Sequence, residues 1–228
     1  MRILAIDTAL TACAAAVLDT DPGVMLASES LVLKGGGHAE ALMPLLARVM
    51  QEADLEFRDL DRIAVTTGPG SYTGLRVGIA AARGIALASG KPAVGLTTLA
   101  AFAAPHIAAD DITSVVVAID ARHDQVYLQA FGSAGRTVVP PRVAPLREAV
   151  RAALTGPTRI VGTAANLIAA AWPRSAEPPK LVDQRVAPEI GWVARLGAAA
   201  GDAHGAPKPV YLRAPDAQPQ DASRLPRR

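Results

Sequence analysis

The chain has 228 residues, half of them hydrophobic and 19% charged, with a formal net charge of +2. That length is enough to bury a sizeable core, and so small a charge surplus excludes a strongly basic nucleic-acid-binding module. No apolar run approaches the roughly 20 residues of a membrane-spanning helix, and the single Cys13 excludes an internal disulfide and fits a reducing, cytoplasmic setting.

In chain order, MRILAIDTAL carries one Arg before an apolar run that ends at Asp7. It reads as a buried first strand over residues 3–6 and not as a signal peptide. Apolar stretches at 13–18 and 24–33, separated by the turn signal DTDPG, complete an antiparallel three-stranded meander. GGGHAEALMPLLARVMQEADL then turns helical, with Leu42, Leu45, Leu46, Val49 and Met50 on one face; Pro44 is expected to bend or tighten its first turns. A strand over 63–67 leads into a glycine turn and a long helix over 73–89. GKPAVGL gives a short strand and TLAAFAAPHIAA a further helix, with His106, after Pro105, placed in a loop.

A second β-rich start spans 113–131. Set beside the N-terminus it repeats the triplet Ala5-Ile6-Asp7 as Ala118-Ile119-Asp120, each a strand end followed by a turn and a second strand. That is an internal repeat. A Pro-rich segment, VVPPRVAP, precedes two short helical stretches (146–154 and 164–171) around an apolar IVG strand. The loop WPRSAEPPK leads to the helix PEIGWVARLGAAAG and the segment PKPVYLR, and the composition beyond 214 is that of a disordered tail. The expected organisation is an N-terminal lobe over 1–108, a smaller related lobe over 109–214 and a tail over 215–228.

TTGPGSYTGLRVGIAAARGIAL, between the two lobes' first strands, poses the functional question. Gly74 is followed by Leu75 and Arg76, so the Lys-Ser/Thr pair of a Walker loop is missing. Gly68, Gly70 and Gly74 read GxGxxxG, one residue off the dinucleotide pattern. Free amides at the helix start can still hold an anion, and beside this stands the ordinary reading of a turn capped by Ser71 or Thr73. The helix itself is smooth: Gly74, Gly78, Ala82, Ala86 and Gly90 recur every four residues. Each interior glycine costs about 1 kcal/mol relative to Ala, which close approach of another helix would offset. Charge is confined to Arg76 and Arg83, on one stripe.

MRILAIDTA, GPGSYTGLRVGIAAARGIAL, GKPAVGLTTLAA, AIDARHDQVY and PVYLR occur in an order that resembles the TsaB (YeaZ) family of tRNA threonylcarbamoyladenosine biosynthesis proteins, along nearly the whole chain up to the tail. The resemblance implies an α/β fold of the actin-like/sugar-kinase/Hsp70 (ASKHA, ribonuclease H-like) class, with two related lobes of mixed sheets, the second reduced. It implies an accessory, non-catalytic subunit required with TsaD and TsaE for transfer of threonylcarbamoyl to the adenosine adjacent to the anticodon of tRNAs reading ANN codons. TsaD-like proteins carry two metal-binding histidines four apart after a strand like GKPAVGL; the corresponding residues here are Thr98 and Phe102. His38, His106, His123 and His204 form no such pair.

On this resemblance the chain has no catalytic residue and no metal ligands. ATP and a metal ion would be used by the partner subunits, and this chain alone would bind no cofactor, or nucleotide only weakly through Asp7, Gly68, Gly70, Ser71 and Asp120. The expected surface for TsaD comprises His38, Leu42, Leu45, Leu46, Val49, Gly74, Gly78, Ala82 and Ala86; TsaE would join in the complex, tRNA would be met indirectly, and in isolation the same surface would form a homodimer. Two other readings stay open: a sugar-kinase-type phosphotransferase using Asp7 or Asp120 with magnesium and ATP, and a direct tRNA contact through Arg76, Arg83, Arg122 and the tail.

Overall fold

Arg2–Asp7 (β1), Ala12–Asp19 (β2) and Val24–Val32 (β3) form the expected antiparallel meander. Arg62–Gly68 (β4) and Ala93–Thr97 (β5) extend it in parallel, giving a five-stranded sheet of order β3-β2-β1-β4-β5. β1 and β4 are central and covered on both faces, which is why they read as continuous apolar runs. One face carries helices α1 (His38–Glu52) and α2 (Tyr72–Ser89), whose Leu42, Leu45, Leu46, Val49, Leu75, Ile79 and Ile85 pack on Leu4, Ile6, Val17 and Val65. The structure is a computed structural model that describes residues 1–33, 35–201 and 205–213; His204 and the residues from 214 onward, the tail included, lie outside the described residues.

The second lobe repeats this arrangement. Ser114–Asp120 (β6), Gln125–Phe131 (β7), Thr137–Pro145 (β8), Thr158–Val161 (β9) and Leu181–Asp183 (β10) form a sheet of order β8-β7-β6-β9-β10, strand for strand the order of the first. Helices α4 (Leu146–Ala153) and α5 (Ala165–Ala170) cover one face. The lobe is reduced in element length, not in strand number. Two strands had no signal of their own: β8 lies in VVPPRVAP, where an edge position tolerates prolines, and β10 has only three residues.

The lobes also exchange a helix. α3 (Thr98–Ala109) follows β5 but buries Leu99, Phe102 and Ala103 against Val115, Val117 and Ile119 of the second sheet. α6 (Ile190–Ala199) comes from the second half of the chain and packs Ile190, Val193 and Ala194 on Ile3, Ala5 and Ala64 of the first. The residues beyond 108 are therefore not confined to the second lobe. His106, expected in a loop, is a buried residue in the last turn of α3, with Pro105 inside the helix.

The duplication holds, but the AID triplets are not its true alignment. Ile6 faces α1 and α2, whereas Ile119 faces α3; Ala118 is the residue that faces α4 and α5. Residue-for-residue superposition of the triplets would turn every side chain to the opposite face, so the lobes correspond with a shift of one. Two buried arginines mark that shift. Ile3 pairs with Arg62, which donates to the carbonyls of Gly197 and Ala200 at the end of α6. Val115 pairs with Arg159, which donates to the carbonyls of His106 and Asp110 at the end of α3 and to that of Thr113. In each lobe the same position supplies charged donors to the open carbonyls of the exchanged helix. This architecture, two copies of one mixed sheet with exchanged helices, is the actin-like/sugar-kinase/Hsp70 fold.

Candidate functional site

The turn after β1 and the glycine turn after β4 are locked together. Ser71 donates its backbone N–H to the Ala9 carbonyl at 2.7 Å, and the Thr8 hydroxyl donates to the Gly74 carbonyl at 2.7 Å. A Cβ at Gly70 would overlap the Ala9 carbonyl, and one at Gly74 the Thr8 carbonyl oxygen. Ser71 is the N-cap of α2, accepting from the Gly74 amide at 3.3 Å. The glycine turn is thus engaged by its own lobe, through the turn-and-cap reading of its residues, and a Cβ at Gly68 would overlap the Val210 carbonyl oxygen.

Asp7 is sealed beneath these turns with no exposed surface. Its Oδ1 accepts from the Thr66 hydroxyl at 2.5 Å and the Ala9 amide at 3.1 Å, and its Oδ2 has no donor among the described residues. Burial pushes the carboxyl above its ordinary pKa, against the opposing pull of Thr66, Ala9 and His38. A magnesium–nucleotide at this carboxylate does not fit the arrangement present. Asp120 is exposed and, by the one-residue shift, belongs to the opposite sheet face; its Oδ1 accepts from the Arg122 amide. Of the five residues read as nucleotide-binding, Asp7, Gly68, Gly70 and Ser71 therefore meet at the interlocked turns of the first lobe, and Asp120 ends the first strand of the second.

At the TsaD histidine positions, Thr98 and Phe102 are 0% and 1% exposed, Phe102 inside the contact between α3 and the second sheet. Among the described residues no three His, Cys, Asp or Glu side chains converge as a metal site. His38 lies at the start of α1, its Nε2 2.9 Å from the Leu10 carbonyl. His106 Nε2 lies 3.3 Å from Asp183 Oδ2 without hydrogen-bond geometry, and burial lowers its pKa.

The expected partner surface requires correction. Leu42, Leu45, Leu46, Val49, Gly74, Gly78 and Ala82 are buried in their own lobe, and His38 and Ala86 are half-buried. The glycine ridge exists so that α2 can approach the end of β1: a Cβ at Gly78 would overlap the Thr8 hydroxyl. What α2 turns outward is a different small-residue face, with Thr73, Ala80, Gly84, Leu87 and Ala88 exposed, Leu87 at 86%. Gly84 has open space where a Cβ would stand. α1 adds Met43 and Ala47 on its outward side. Counting around the helix from the Ser71 cap would have separated these faces, but only the close approach at Thr8 says which one the sheet takes.

A second feature stood out in the sequence only as the segment PKPVYLR, with no signal for where it docks. The C-terminal strap, residues 205–213, runs across α2 and β4: Arg83 donates to the Pro207 carbonyl at 2.8 Å, and Val210 N–H to the Thr67 carbonyl at 2.8 Å. The rings of Tyr72 and Tyr211 stack at 5.4 Å, and the Arg76 guanidinium lies 4.0 Å over Tyr72 while donating to the Tyr211 hydroxyl. Arg213 reaches the second lobe at the Ala121 carbonyl. Among the described residues no helix is long and apolar enough to cross a membrane.

Comparison with known proteins agrees with this fold. The model of the TsaD family, tRNA N6-adenosine threonylcarbamoyltransferase, matches residues 34–178. The chain is 36% identical to the tRNA threonylcarbamoyladenosine biosynthesis protein TsaB of Escherichia coli over 56% of its own length and 53% of that protein's, so the match spans about half of that relative. An uncharacterized protein of Mycobacterium tuberculosis is 32% identical over 95% of this chain and 94% of its own. The solved structure of YeaZ from Pseudomonas aeruginosa superposes with a TM-score of 0.77 at 28% identity, covering 92% of this chain and 99% of that one.

Proposed function

Because the chain belongs to the TsaB (YeaZ) family, we propose that it serves in the cytoplasm as the accessory, non-catalytic subunit that TsaD and TsaE require to place threonylcarbamoyl on the adenosine beside the anticodon of tRNAs reading ANN codons. The observation that carries the non-catalytic part is the interior itself. The carboxylate that would organise magnesium–nucleotide chemistry, Asp7, has no exposed surface, and the two positions of the TsaD metal histidines are the buried Thr98 and Phe102. A sugar-kinase-type reaction at Asp7 finds no support in that geometry. ATP and the metal ion then serve the partner subunits.

TsaD docks on the outward face of α1 and α2, through Met43, Ala47, Ala80, Gly84 and Leu87, where small side chains leave room for close helix approach. The same face pairs two copies of the chain when TsaD is missing. The test is co-expression with the TsaD of the same organism, followed by size-exclusion and mass-spectrometric measurement of threonylcarbamoyladenosine in tRNA with and without this chain. Co-elution and modification dependent on the chain are expected. Full modification by TsaD and TsaE without it, or ATP turnover by the chain alone, overturns the reading.

A further inference from the structure

The near-neutral overall charge hides a strongly uneven distribution. Between Asp61 and Asp110 the sequence contains Arg62, Arg76, Arg83 and Lys91 and no acidic residue; the strap adds Lys208 and Arg213, also without an acid. Three exposed arginines elsewhere sit beside carboxylates, Arg48 on Glu29, Arg58 on Glu56 and Arg142 on Glu148. Others, such as Arg122 and Arg151, have none within 4 Å among the described residues but are not grouped with exposed aromatic rings. Arg76 and Arg83 instead bond to a phenol and a carbonyl, and neither has a carboxylate within 4 Å among the described residues. Both are exposed, as is Lys208. Set among these charges are two aromatic rings, Tyr72 at 51% and Tyr211 at 47% exposure, held by their mutual stacking and by Arg76.

We infer that the face formed by Tyr72, Arg76 and Arg83 of α2 with Lys208 and Tyr211 of the strap is a contact surface for the tRNA itself, its cations meeting backbone phosphates and its tyrosines an unpaired base. Uncompensated guanidinium and ammonium groups suit a polyanion, and a fixed, half-exposed aromatic ring suits the face of a splayed base. The strap is essential to the surface, because it supplies one ring and one cation and immobilises the other ring. On α2 this face lies beside the small-residue face assigned to TsaD, so one helix would present both partners to each other. The inference rests on the preceding reading for the identity of the nucleic acid.

The test is filter binding of an unmodified tRNA transcript reading an ANN codon, between about 50 and 300 mM KCl. It is run on the complex with TsaD and on the chain alone. For Arg76→Gln/Arg83→Gln/Lys208→Gln the slope of log K against log salt should shrink by about 0.9 for each phosphate no longer neutralised, roughly 2–3 in all. Tyr211→Leu should weaken binding about fivefold or more at every salt concentration. Arg76→Lys/Arg83→Lys, which keeps the charge, should retain the slope; if its slope falls as the Gln variant's does, the arginines only fasten the strap and the inference fails. An unchanged slope in the Gln variant with TsaD co-elution intact also overturns it. So does loss of TsaD co-elution by that variant, which would make the face a protein-docking surface. Failure of the wild-type chain to co-elute with TsaD sinks the preceding reading alone, and the measurement on the isolated chain still decides this one. Should the variants not fold, 4-thiouridine cross-linking to the wild-type protein replaces them: cross-links within 72–83 and 205–213 are expected, and cross-links only elsewhere are fatal.

Discussion

The hydroxyl of Thr66 donates a 2.5 Å hydrogen bond to Oδ1 of Asp7 on the adjacent parallel strand. With the Ala9 amide it gives one carboxylate oxygen two donors, while the other is buried with none among the described residues. Burial prevails over these bonds and raises the folded-state pKa above 3.8. Between the unfolded and the raised folded value the native state holds more protons, so stability falls as pH rises through that window. Asp7→Asn removes this effect. The difference in urea unfolding free energy, variant minus wild type, should therefore grow in the variant's favour from about pH 4 toward neutrality; a difference independent of pH would show that folding does not raise the Asp7 pKa.

Gly78 and Gly84 share a helix and should respond oppositely to alanine. A Cβ at Gly78 meets the Thr8 side chain, which is itself fixed to the Gly74 carbonyl, so Gly78→Ala should cost about 1–3 kcal/mol. Gly84 has nothing within 4 Å of the added carbon, so Gly84→Ala should stabilise by about 0.5–1 kcal/mol through helix propensity. Equal effects in chemical denaturation would mean that α2 does not sit on β1 through its glycine ridge.

Much of the fold was legible in the sequence because each major strand and helix has its own period. The meander, α1, α2 and the repeat of the lobe all follow from apolar spacing and turn residues. The short edge strands β8 and β10 carry little pattern of their own, one being proline-rich and the other three residues long. The site was legible in kind and misplaced in detail. A helix with Gly74, Gly78 and Ala82 on one side and Ala80, Gly84 and Ala88 on another offers two smooth faces, and periodicity cannot say which one the sheet covers. The strap's docking was invisible because its contacts join residues over 90 apart, as from Arg83 to Pro207 and from Arg213 to Ala121.

Arg159 holds the end of α3 through three carbonyls and is 7% exposed. Arg159→Met preserves much of its volume and leaves those carbonyls without their charged donors, so a loss of about 2–4 kcal/mol is expected in urea titrations. The adjoining Asp110 accepts from the amides of Ile112 and Thr113. Its pKa is lowered to about 2, first by hydrogen bonding to Thr113, then by Ile112, with Arg159 contributing less. Its contribution is present above the ordinary value of 3.8 and lost as pH falls toward about 2. Asp110→Asn should flatten stability in that acid window and leave its shape above pH 5 unaltered.

Cys13 is buried between the sheet and its covering helices, and its thiol is pushed up to about 11, chiefly by burial and then by Asp7 and Glu29. At pH 8 the thiolate fraction is then about two orders of magnitude below that of a free cysteine. Reaction with a disulfide reagent should be that much slower in the folded chain and become normal in denaturant. Rapid labelling of the native protein would mean that α1 and α2 open readily from the sheet.

Leu87 is 86% exposed on α2, and Gly84, one turn earlier, faces open space. A large apolar side chain so placed adds nothing to its own core, so Leu87→Glu should change folding stability by less than about 0.5 kcal/mol. At the centre of a helix–helix interface the same change introduces an unpaired buried charge, and a loss of about 2 kcal/mol or more in TsaD binding is expected, roughly thirtyfold. Gly84→Arg should do the same by bulk. Calorimetric titration of TsaD into each variant, with melting curves alongside, measures both quantities. Binding that survives both substitutions at wild-type affinity would remove this face from the interface. The buried residues Gly78 and Ala82 cannot serve for that test, since changing them alters the fold before it alters the surface.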